Sequence, residues 1–235
     1  MHCSAVTIII PAYNEEKTIS DVISEIISIM DTMQVGYEII VIDDGSTDKT
    51  RLIASNYKAT ILTNEKNRGK GYSLRRALRY AQGDIILTID ADGEHKPKEI
   101  PDLIEPLFNG TDIVAGSRFL GNQRQATTKL NQIGNFLFNA TIMTLTGKRV
   151  TDSQTGFRAI KRQVLETLSL ESNGYEIETE ITIKSLRNGF IFKEKPITCE
   201  RRKYNISKLR ILSDGTKILK TILKGSFAKI EHDPQ

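Results

Sequence analysis

The sequence contains few cysteines, and this scarcity excludes two classes of protein. Cys3 and Cys199 are the only cysteines among the 235 residues. Two thiols are too few for a disulfide framework or for a zinc site built on cysteines. A reducing compartment, the cytosol, is therefore the expected location.

Long hydrophobic runs are also absent. A transmembrane helix needs roughly 20 consecutive apolar residues, and no run in the sequence approaches that length. The first apolar run, residues 6–10, is too short for the core of a signal peptide and is followed at once by Pro11. Internal repeats, low-complexity segments and long linkers are not evident either. We expect a soluble or peripheral protein.

The remaining composition is that of an ordinary globular protein. With 39% hydrophobic and 26% charged residues, the chain can form one large α/β domain or two small ones with a sizeable core. The net charge of +4 favours an anionic partner without identifying it. Basic residues are frequent after residue 200, whereas the acidic motifs lie mostly before it.

Strand and helix patterns alternate through the first half of the chain. Continuous apolar runs predict buried strands at residues 6–10, 37–42, 60–63 and 85–90, and three-four apolar spacing predicts helices between them. Repeated units of this kind imply a mostly parallel sheet with helices on both faces. Ligands of such sheets bind beyond the carboxyl ends of the strands, where the acidic and glycine-rich motifs of this sequence fall.

The pattern is looser in the second half. We expect a fifth strand at residues 112–116, a helix at 130–146, a helix at 176–188 and an extended segment at 190–197. In the first of these helices the apolar residues predicted to face inward are Ile133, Leu137, Ile142 and Leu145.

An acidic turn follows the fourth predicted strand. Residues 90–95 read DADGEH, which places Asp90, Asp92 and Glu94 at alternate positions. Carboxylates this crowded repel one another unless a cation lies among them. A hard divalent ion such as Mg²⁺ or Mn²⁺ takes one or two protein carboxylates and completes its shell with water and substrate phosphates. The turn therefore predicts a metal held for a diphosphate; a solvated acidic turn is the alternative.

Six motifs occur in a recognisable order: PAYNE at 11–15, DDGS at 43–46, DADGEH at 90–95, GSR at 116–118, DSQTGFR at 152–158 and YEIE at 175–178. As an ordered set they resemble the large inverting family 2 of glycosyltransferases, and within it the dolichyl- and polyprenyl-phosphate sugar synthases. The resemblance implies an α/β fold of the GT-A type, which is Rossmann-like with a mostly parallel central sheet flanked by helices.

The resemblance also implies a domain organisation. A single glycosyltransferase domain would cover residues 1–208, with a nucleotide-sugar-binding half at 1–117 and an acceptor-binding half at 118–208. Residues 209–235 would form a basic amphipathic C-terminal segment.

For the donor half, the resemblance implies contacts from several residues. The base and ribose would be held by Pro11, Tyr13, Glu15 and Asp44, and the diphosphate by Asp90 and Arg202. The metal, Mg²⁺ or Mn²⁺, would be held by Asp90, Asp92 and Glu94. An Asp44 that only caps a helix is the alternative at that position. Because relatives usually carry glutamine at position 94, Glu94 is either a third metal contact or a sign of a different donor.

For the acceptor half, the resemblance implies a phosphate pocket of Arg118, Arg158, Ser207 and Lys208, and catalytic roles for Asp92, Arg118, Gln154 and Glu178. Residues 201–208 (RRKYNISK) resemble the family's phosphate-binding loop, with Asn205 in place of glycine. A lipid monophosphate has a second pKa of about 6 and is mostly dianionic at pH 7, so it needs no strong base. Glu178 matches the base of relatives that use hydroxyl acceptors, and its role here stays open.

The C-terminal segment independently favours a lipid acceptor. Residues 209–230 carry an apolar stripe flanked by Lys217, Lys220, Lys224 and Lys229, and basic amphipathic helices lie on anionic membrane surfaces. Packing on the protein's own domain or on a membrane-protein partner is the alternative.

Together these observations predict an enzyme that transfers one hexose, with inversion, to a dolichyl or polyprenyl phosphate on the cytoplasmic face of a membrane. GDP-mannose is the favoured donor and UDP-glucose a possible one; no nucleic acid is expected as a partner. The alternatives are a transferase acting on a glycan or protein hydroxyl and a non-catalytic adaptor subunit that binds sugar nucleotides.

Overall fold

A computed structural model describes residues 5–120, 129–200 and 211–227 of the chain. Its centre is one seven-stranded sheet in the order β3-β2-β1-β4-β6-β5-β7. The strands are β1 (Val6–Ala12), β2 (Tyr37–Asp43), β3 (Thr60–Thr63), β4 (Ile85–Thr88), β5 (Ile113–Ser117), β6 (Arg158–Lys161) and β7 (Phe192–Pro196).

The sheet is mostly parallel, as the sequence predicted. Only β6 runs antiparallel to its neighbours, β4 and β5, among the strands of the described chain. The chain passes outward from β1 through β2 to β3 and then returns to the other side of β1 as β4. Ligands of open α/β sheets bind at such a reversal of strand order, here beyond the ends of β1 and β4.

Eight α-helices surround the sheet in the described chain: α1 (Ile19–Met33), α2 (Thr50–Ala54), α3 (Lys70–Leu78), α4 (Ile100–Phe108), α5 (Lys129–Thr146), α6 (Arg162–Thr167), α7 (Ile177–Arg187) and α8 (Ile211–Phe227). None of them, within the residues described, is both long and apolar enough to cross a bilayer.

Two layers of helices cover the two faces of the sheet. Along β1 the side chains alternate, so that Ile8 and Ile10 belong to the core shared with α1 and α4, whereas Ile9 belongs to the core shared with α3 and α7. All three isoleucines are completely buried. The continuous apolar runs of the sequence therefore correspond to strands buried on both faces.

A third, smaller cluster ties α8 to the rest of the domain. Ile218 and Ile222 of α8 are buried against Ile183 of α7 and Ile142 of α5. Ile218 and Ile222 belong to the apolar stripe predicted for the C-terminal segment. They pack on the protein's own domain, which was the alternative to membrane contact. Leu219, Leu223 and Phe227 are exposed instead.

Two strand boundaries differ from the sequence prediction. β1 continues through Pro11 to Ala12. The pairing of β1 with β4 ends at Ile9, so Pro11 has a paired strand on one side only, β2. A proline without a backbone N–H is tolerated at such a position. β4 ends at Thr88 rather than Asp90. Asp90 is therefore the second residue of the turn that follows the strand.

The inward face predicted for α5 was wrong at two of its four residues. Ile142 is buried and Leu145 is half-buried, but Ile133 and Leu137 are each 57% exposed. The helix instead turns Asn135 and Asn139 inward, where both side-chain amides donate to the backbone oxygen of Thr151 at 3.1 and 2.7 Å.

Candidate active site

A buried lysine lies at the centre of the candidate site. The Nζ atom of Lys70, the first residue of α3, is 2.5 Å from Oδ1 of Asp90 and 2.9 Å from Oε1 of Glu178. Burial disfavours the charged form of Lys70, but the carboxylates of Asp90 and Glu178 outweigh it, so that the pKa of this ammonium is raised above its usual value. Lys70 therefore joins the acidic turn after β4 to the first turn of α7.

Two glycines explain how a lysine reaches this position. Gly69 has a φ of 97°, and a Cβ at Gly69 or Gly71 would overlap the backbone oxygens of Asn173 and Ser172. The backbone at the start of α3 therefore lies directly against the segment before α7. The N–H groups of Gly71 and Tyr72 donate to backbone oxygens of that segment at 3.2 and 3.1 Å.

A third glycine makes room for the ion pair itself. A Cβ at Gly156 would overlap Nζ of Lys70 and would lie 2.7 Å from Oδ2 of Asp90. Thr88, the last residue of β4, donates from Oγ1 to the backbone oxygen of Gly156 at 2.8 Å and holds this segment in place. Gly156 belongs to the DSQTGFR motif, so the glycine of that motif has a steric explanation here.

Glu178 is almost completely buried between two cations. Besides Lys70, the Nε atom of Arg158 lies 3.3 Å from Oε2 of Glu178, and the Glu178 side chain is 4% exposed. Beside it, the side-chain amide of Gln154 donates to Oγ1 of Thr179. The structure thus places the predicted residues Asp90, Gln154 and Glu178 around Lys70 and the start of α7.

Arg158 does not have the environment predicted for it. Its side chain is 0% exposed, and it donates to backbone oxygens of Ser153 and Thr155 at 3.0 and 2.7 Å and to Oγ1 of Thr182 at 2.8 Å. A guanidinium engaged in this way has no surface for an acceptor phosphate. The geometry corrects that expectation, and Arg158 instead holds Glu178 and the motif segment in position.

Arg118 is oriented by a buried aspartate. Its Nε and Nη2 atoms donate to the two oxygens of Asp152 at 2.7 and 2.9 Å, a bidentate pair, and its backbone N–H donates to Oδ2 at 3.1 Å. Asp152 is 0% exposed, whereas the Arg118 side chain is 17% exposed. Burial disfavours the charge of Arg118, but Asp152 outweighs this and the pKa of Arg118 is raised.

The segment that carries Asp152 is itself held by a second carboxylate. Oε1 of Glu194, on β7, accepts from the backbone N–H of Asp152 at 2.8 Å and from that of Thr151 at 3.0 Å. Arg118 is therefore held in one orientation, and its side chain is 17% exposed.

The other acidic residues of the turn have local partners. Oδ1 of Asp92 accepts from the backbone N–H of Glu94 at 3.0 Å, and Oε2 of Glu94 lies 3.9 Å from Sγ of Cys199. The His95 ring is buried against Phe157, with 5.4 Å between the ring centroids. Burial lowers the pKa of His95, which favours a neutral imidazole in the core of the turn.

The carboxylates of the turn fit a divalent ion in part. No three His, Cys, Asp or Glu side chains gather as a ready metal cage within residues 5–120, 129–200 and 211–227. Mg²⁺, however, takes only one or two protein carboxylates when substrate phosphates supply other ligands. Asp90 and Asp92 would provide these two carboxylates, although Asp90 already pairs with the ammonium of Lys70. Glu94 lies beside Cys199.

The donor half brings the PAYNE and DDGS turns together. The backbone N–H of Asn14 donates to Oγ of Ser46 at 2.9 Å, and that of Glu15 donates to Oγ1 of Thr50 at 2.7 Å. Asp44 N–H donates to the oxygen of Ala12 at 2.8 Å. Of the predicted nucleotide contacts, Tyr13, Glu15 and Asp44 therefore lie just beyond the ends of β1 and β2, whereas Pro11 is still part of β1, one residue before its end.

Asp44 has a structural role that the sequence only partly predicted. Its Oδ1 accepts from the N–H of Arg68 and Nδ2 of Asn64, and its Oδ2 accepts from the N–H of Gly69, at 2.7–2.8 Å. Asp44 is 4% exposed. It braces the loop that leads into Lys70 rather than the first turn of α3, and its contact with a nucleotide base stays a prediction.

Arg202, Ser207 and Lys208, predicted for the donor and acceptor phosphates, lie outside the described residues. Lys70 and Asp152, in contrast, were not selected from the sequence although the structure places both at the site. The signal that could have identified Lys70 is its position between two glycines after a strand, and for Asp152 its position at the head of the DSQTGFR motif.

The sequence is similar to those of known glycosyltransferases. The sequence profile described as glycosyl transferase family 2 matches residues 7–169. The dolichol-phosphate mannosyltransferase of Pyrococcus furiosus is 31% identical over 213 residues, which cover 87% of this chain and 59% of that protein. A UDP-N-acetylglucosamine–dolichyl-phosphate N-acetylglucosaminyltransferase of Methanococcus voltae is 31% identical over 95% of this chain and 96% of its own length.

A solved structure shows the fold. Glucosyl-3-phosphoglycerate synthase of Mycobacterium tuberculosis, in complex with Mn²⁺, UDP-glucose and phosphoglyceric acid, superposes with a TM-score of 0.77 at 24% identity. The match covers 96% of this chain and 81% of that one. The predicted GT-A fold is confirmed.

Proposed function

The chain belongs to glycosyl transferase family 2, and on that basis we propose that it transfers one hexose, with inversion, from a nucleotide sugar to a dolichyl or polyprenyl phosphate. GDP-mannose is the first donor to test, since a relative that is 31% identical is named a dolichol-phosphate mannosyltransferase. The relative from Methanococcus voltae is named for a different sugar, so the donor is a variable of the experiment.

The observation that carries this proposal is the environment of Glu178. An acceptor hydroxyl needs a general base within hydrogen-bond reach, and Glu178 is the carboxylate at the matching motif position. One of its oxygens faces Lys70 and the other faces Arg158, and only 4% of its side chain is exposed. Glu178 therefore acts as an anchor for two cations rather than as a base that receives a proton from the acceptor.

A phosphate acceptor suits this arrangement. A lipid monophosphate is mostly dianionic at pH 7 and attacks without prior removal of a proton. It needs a cation that holds it in line with the sugar, because positioning lowers the barrier by making the reaction effectively intramolecular. Arg118 supplies such a cation, since Asp152 orients its guanidinium and the side chain is 17% exposed.

The departing nucleoside diphosphate requires neutralisation of its developing charge. Mg²⁺ or Mn²⁺ held by Asp90 and Asp92, with Glu94 as the third predicted ligand, would supply this by acting as a Lewis acid toward the diphosphate. Lys70 places a second positive charge beside Asp90. Arg202, Ser207 and Lys208 are proposed to close over the donor and acceptor phosphates.

A lipid acceptor also requires that the protein reach a membrane. We propose that residues 209–235 lie on the cytoplasmic face, with the lysines of α8 near anionic headgroups, each contributing about 1 kcal/mol. Lys217, Lys220 and Lys224 are exposed on α8, in agreement with this placement.

The test is a transfer assay with the full chain. The protein is incubated with Mg²⁺, a short-chain polyprenyl phosphate and a panel of GDP- and UDP-sugars, while nucleotide release and sugar-linked lipid phosphate are measured. The expected result is glycosylated lipid phosphate from one donor, with an Asp92→Ala variant inactive but folded. Transfer only to a glycan or protein hydroxyl, or nucleotide binding without turnover for every donor, would overturn the proposal.

A further inference from the structure

A polar cavity lies between α7, α8 and the segment before α7. Its volume is about 290 Å³, the size of a site for a small metabolite. Three glutamates and four lysines are among the residues that line it. Glu176 and Glu180, four residues apart at the start of α7, face this cavity, whereas Glu178 between them faces Lys70. The cavity is therefore distinct from the candidate active site.

Two ion pairs account for four of these seven charges. Lys184 lies 2.8 Å from Oε1 of Glu180, and Lys224 pairs with Glu171. The remaining charges are one carboxylate, Glu176, and two ammonium groups, Lys217 and Lys220. An occupant of the cavity must complement these three.

The carboxylate of Glu176 is only half satisfied. Its Oε1 accepts from the backbone N–H of Gly174 at 3.0 Å, but its Oε2 is buried and has no hydrogen-bond partner among the described residues. The residue is 9% exposed. Because a buried acceptor without a donor is unfavourable, Glu176 indicates a ligand that donates a hydrogen bond here.

The two ammonium groups lie at the outer side of the cavity. Lys217 and Lys220 are three residues apart on α8, so their side chains are neighbours on one side of the helix, and both are exposed. The nearest carboxylate oxygen of Asp214 is 3.6 Å from Lys217, a long contact. Two neighbouring ammonium groups suit an anion with several oxygens, such as a phosphate.

Neutral polar groups occupy the wall between the two ends. Ser172, Asn173 and Thr221 line the cavity, and hydroxyl and amide groups exchange hydrogen bonds with the hydroxyls of a ligand. A free amino acid could place its ammonium on Glu176, but it would leave these groups without partners. We propose that the cavity binds a small phosphorylated polyol, with a hydroxyl on Oε2 of Glu176 and the phosphate beside Lys217 and Lys220.

The position of the cavity connects it with Lys70. Its wall contains Asn173, and the backbone oxygens of Asn173 and Gly174 accept from the N–H groups of Tyr72 and Gly71 in the first turn of α3. A ligand that orders this segment leaves less conformational entropy to be lost when a nucleotide binds near Lys70. The ligand and the nucleotide therefore tighten each other's binding, and the cavity is an effector site.

The first test is calorimetric titration of the full chain with glucose 6-phosphate, in parallel with inorganic phosphate, glucose and glutamate. Glucose 6-phosphate should bind at least about tenfold more tightly than either of its parts, because it engages both ends of the cavity. Glutamate should not bind. Since the titration needs neither acceptor nor turnover, this inference goes beyond the proposed function and fails or stands independently of it.

Two variants assign the binding to the cavity. Lys220→Ala should weaken the binding of glucose 6-phosphate at least about tenfold, because the phosphate loses a charge-assisted contact. Glu176→Gln should bind glucose 6-phosphate no more tightly than inorganic phosphate, because the hydroxyls lose their charged acceptor. Lys58→Ala, at an exposed lysine between α2 and β3, is the matched control and should bind as the native chain does. Thermal unfolding verifies that each variant is folded.

The second test measures the connection with Lys70. Saturating glucose 6-phosphate should tighten the binding of GDP or UDP at least about fivefold and slow hydrogen exchange at the amides of Gly71 and Tyr72. Native-like binding by folded Lys220→Ala, binding of glutamate instead, or no binding by the native chain would overturn the proposed site. Competition between glucose 6-phosphate and the nucleotide would also overturn it, since both would then occupy the donor site, and an unchanged nucleotide affinity would overturn the effector role.

Discussion

The ammonium nitrogen of Lys70 lies 2.5 Å from a carboxylate oxygen of Asp90, so the acidic turn after β4 already holds one positive charge from the protein itself. The same nitrogen is 2.9 Å from Glu178, far along the chain. Lys70 thus connects the donor half of the domain with the acceptor half. Because its side chain is 11% exposed, this connection is shielded from solvent and from salt.

Replacement of Lys70 by methionine tests the connection. Lys70→Met leaves two largely buried carboxylates without their shared cation, and the free energy of unfolding should fall by about 3–5 kcal/mol. Turnover should fall by about a hundredfold because Asp90 and Glu178 lose their positions. Urea unfolding and the transfer assay measure the two effects.

Lys66→Met, at an exposed lysine four residues earlier, is the control and should change neither quantity. Lys70→Arg keeps the charge and should retain part of the stability. If Lys70→Met were as stable and as active as the native chain, the bridging role would be wrong.

The glycine of the DSQTGFR motif gives a steric test of the same site. In Gly156→Ala, the new Cβ would overlap Nζ of Lys70 and approach Asp90, so overpacking should cost about 1–3 kcal/mol of stability and separate the ion pair. Turnover should fall more than tenfold. Gly134→Ala in α5 is the control, since a Cβ there meets nothing within 4 Å and should stabilise the helix by up to about 1 kcal/mol. Equal behaviour of the two variants would contradict the steric explanation.

These residues show why sequence reasoning found part of the site and missed the rest. The strands were predictable because double-sided burial leaves continuous apolar runs, and the acidic turn was predictable because its carboxylates are adjacent in sequence. Lys70 acquires its role from Asp90 and Glu178, which only the fold brings near it. The orientation of α5 depends on the oxygen of Thr151 beyond its end, a contact that helical periodicity does not encode.

The bidentate pair between Asp152 and Arg118 predicts a defect on the acceptor side. In Asp152→Asn, one of the two carboxylate acceptors becomes an NH₂ group that repels the guanidinium, and the buried countercharge is lost. The KM for polyprenyl phosphate should rise at least about tenfold, with a smaller change in the KM for the nucleotide sugar. Asp102→Asn, exposed on α4, is the control. A change confined to the donor KM would place Arg118 on the donor side instead.

Glu178 distinguishes the two kinds of acceptor. If the acceptor is a lipid phosphate, Glu178→Gln should lower kcat by less than about tenfold at pH 7, because the residue anchors Lys70 and Arg158 without receiving a proton. If the acceptor were a hydroxyl, the loss of the base should lower kcat by about 10²–10⁴-fold. Glu166→Gln, at an exposed position of α6, is the control, and its kcat should equal that of the native chain.

The last prediction concerns the pH dependence of the free energy of unfolding, which depends on how residues 171–174, the segment beside Lys70, are held. Glu180 accepts from the backbone N–H groups of Glu171 and Ser172 at 3.0 and 2.8 Å and pairs with Lys184 at 2.8 Å. Burial raises the pKa of the Glu180 carboxyl, but the contacts with Lys184 and Ser172 outweigh it and lower the pKa overall. The folded chain therefore binds a proton at Glu180 less readily than the unfolded chain does.

The sign of the effect follows from this difference. Glu180 contributes stability that is complete above the unfolded carboxyl pKa of about 4.3 and is lost as the pH falls through the lower folded value. Glu180→Gln should cost about 2–3 kcal/mol at pH 7, because it removes charge-assisted hydrogen bonds at a residue that is 3% exposed. Urea unfolding from pH 7 to pH 3.5 should show the gap between native and variant chains closing below about pH 4. For Glu166→Gln, the free energy of unfolding should stay equal to that of the native chain at every pH. If the difference between Glu180→Gln and the native chain grew in acid, the lowered pKa of Glu180 would be contradicted.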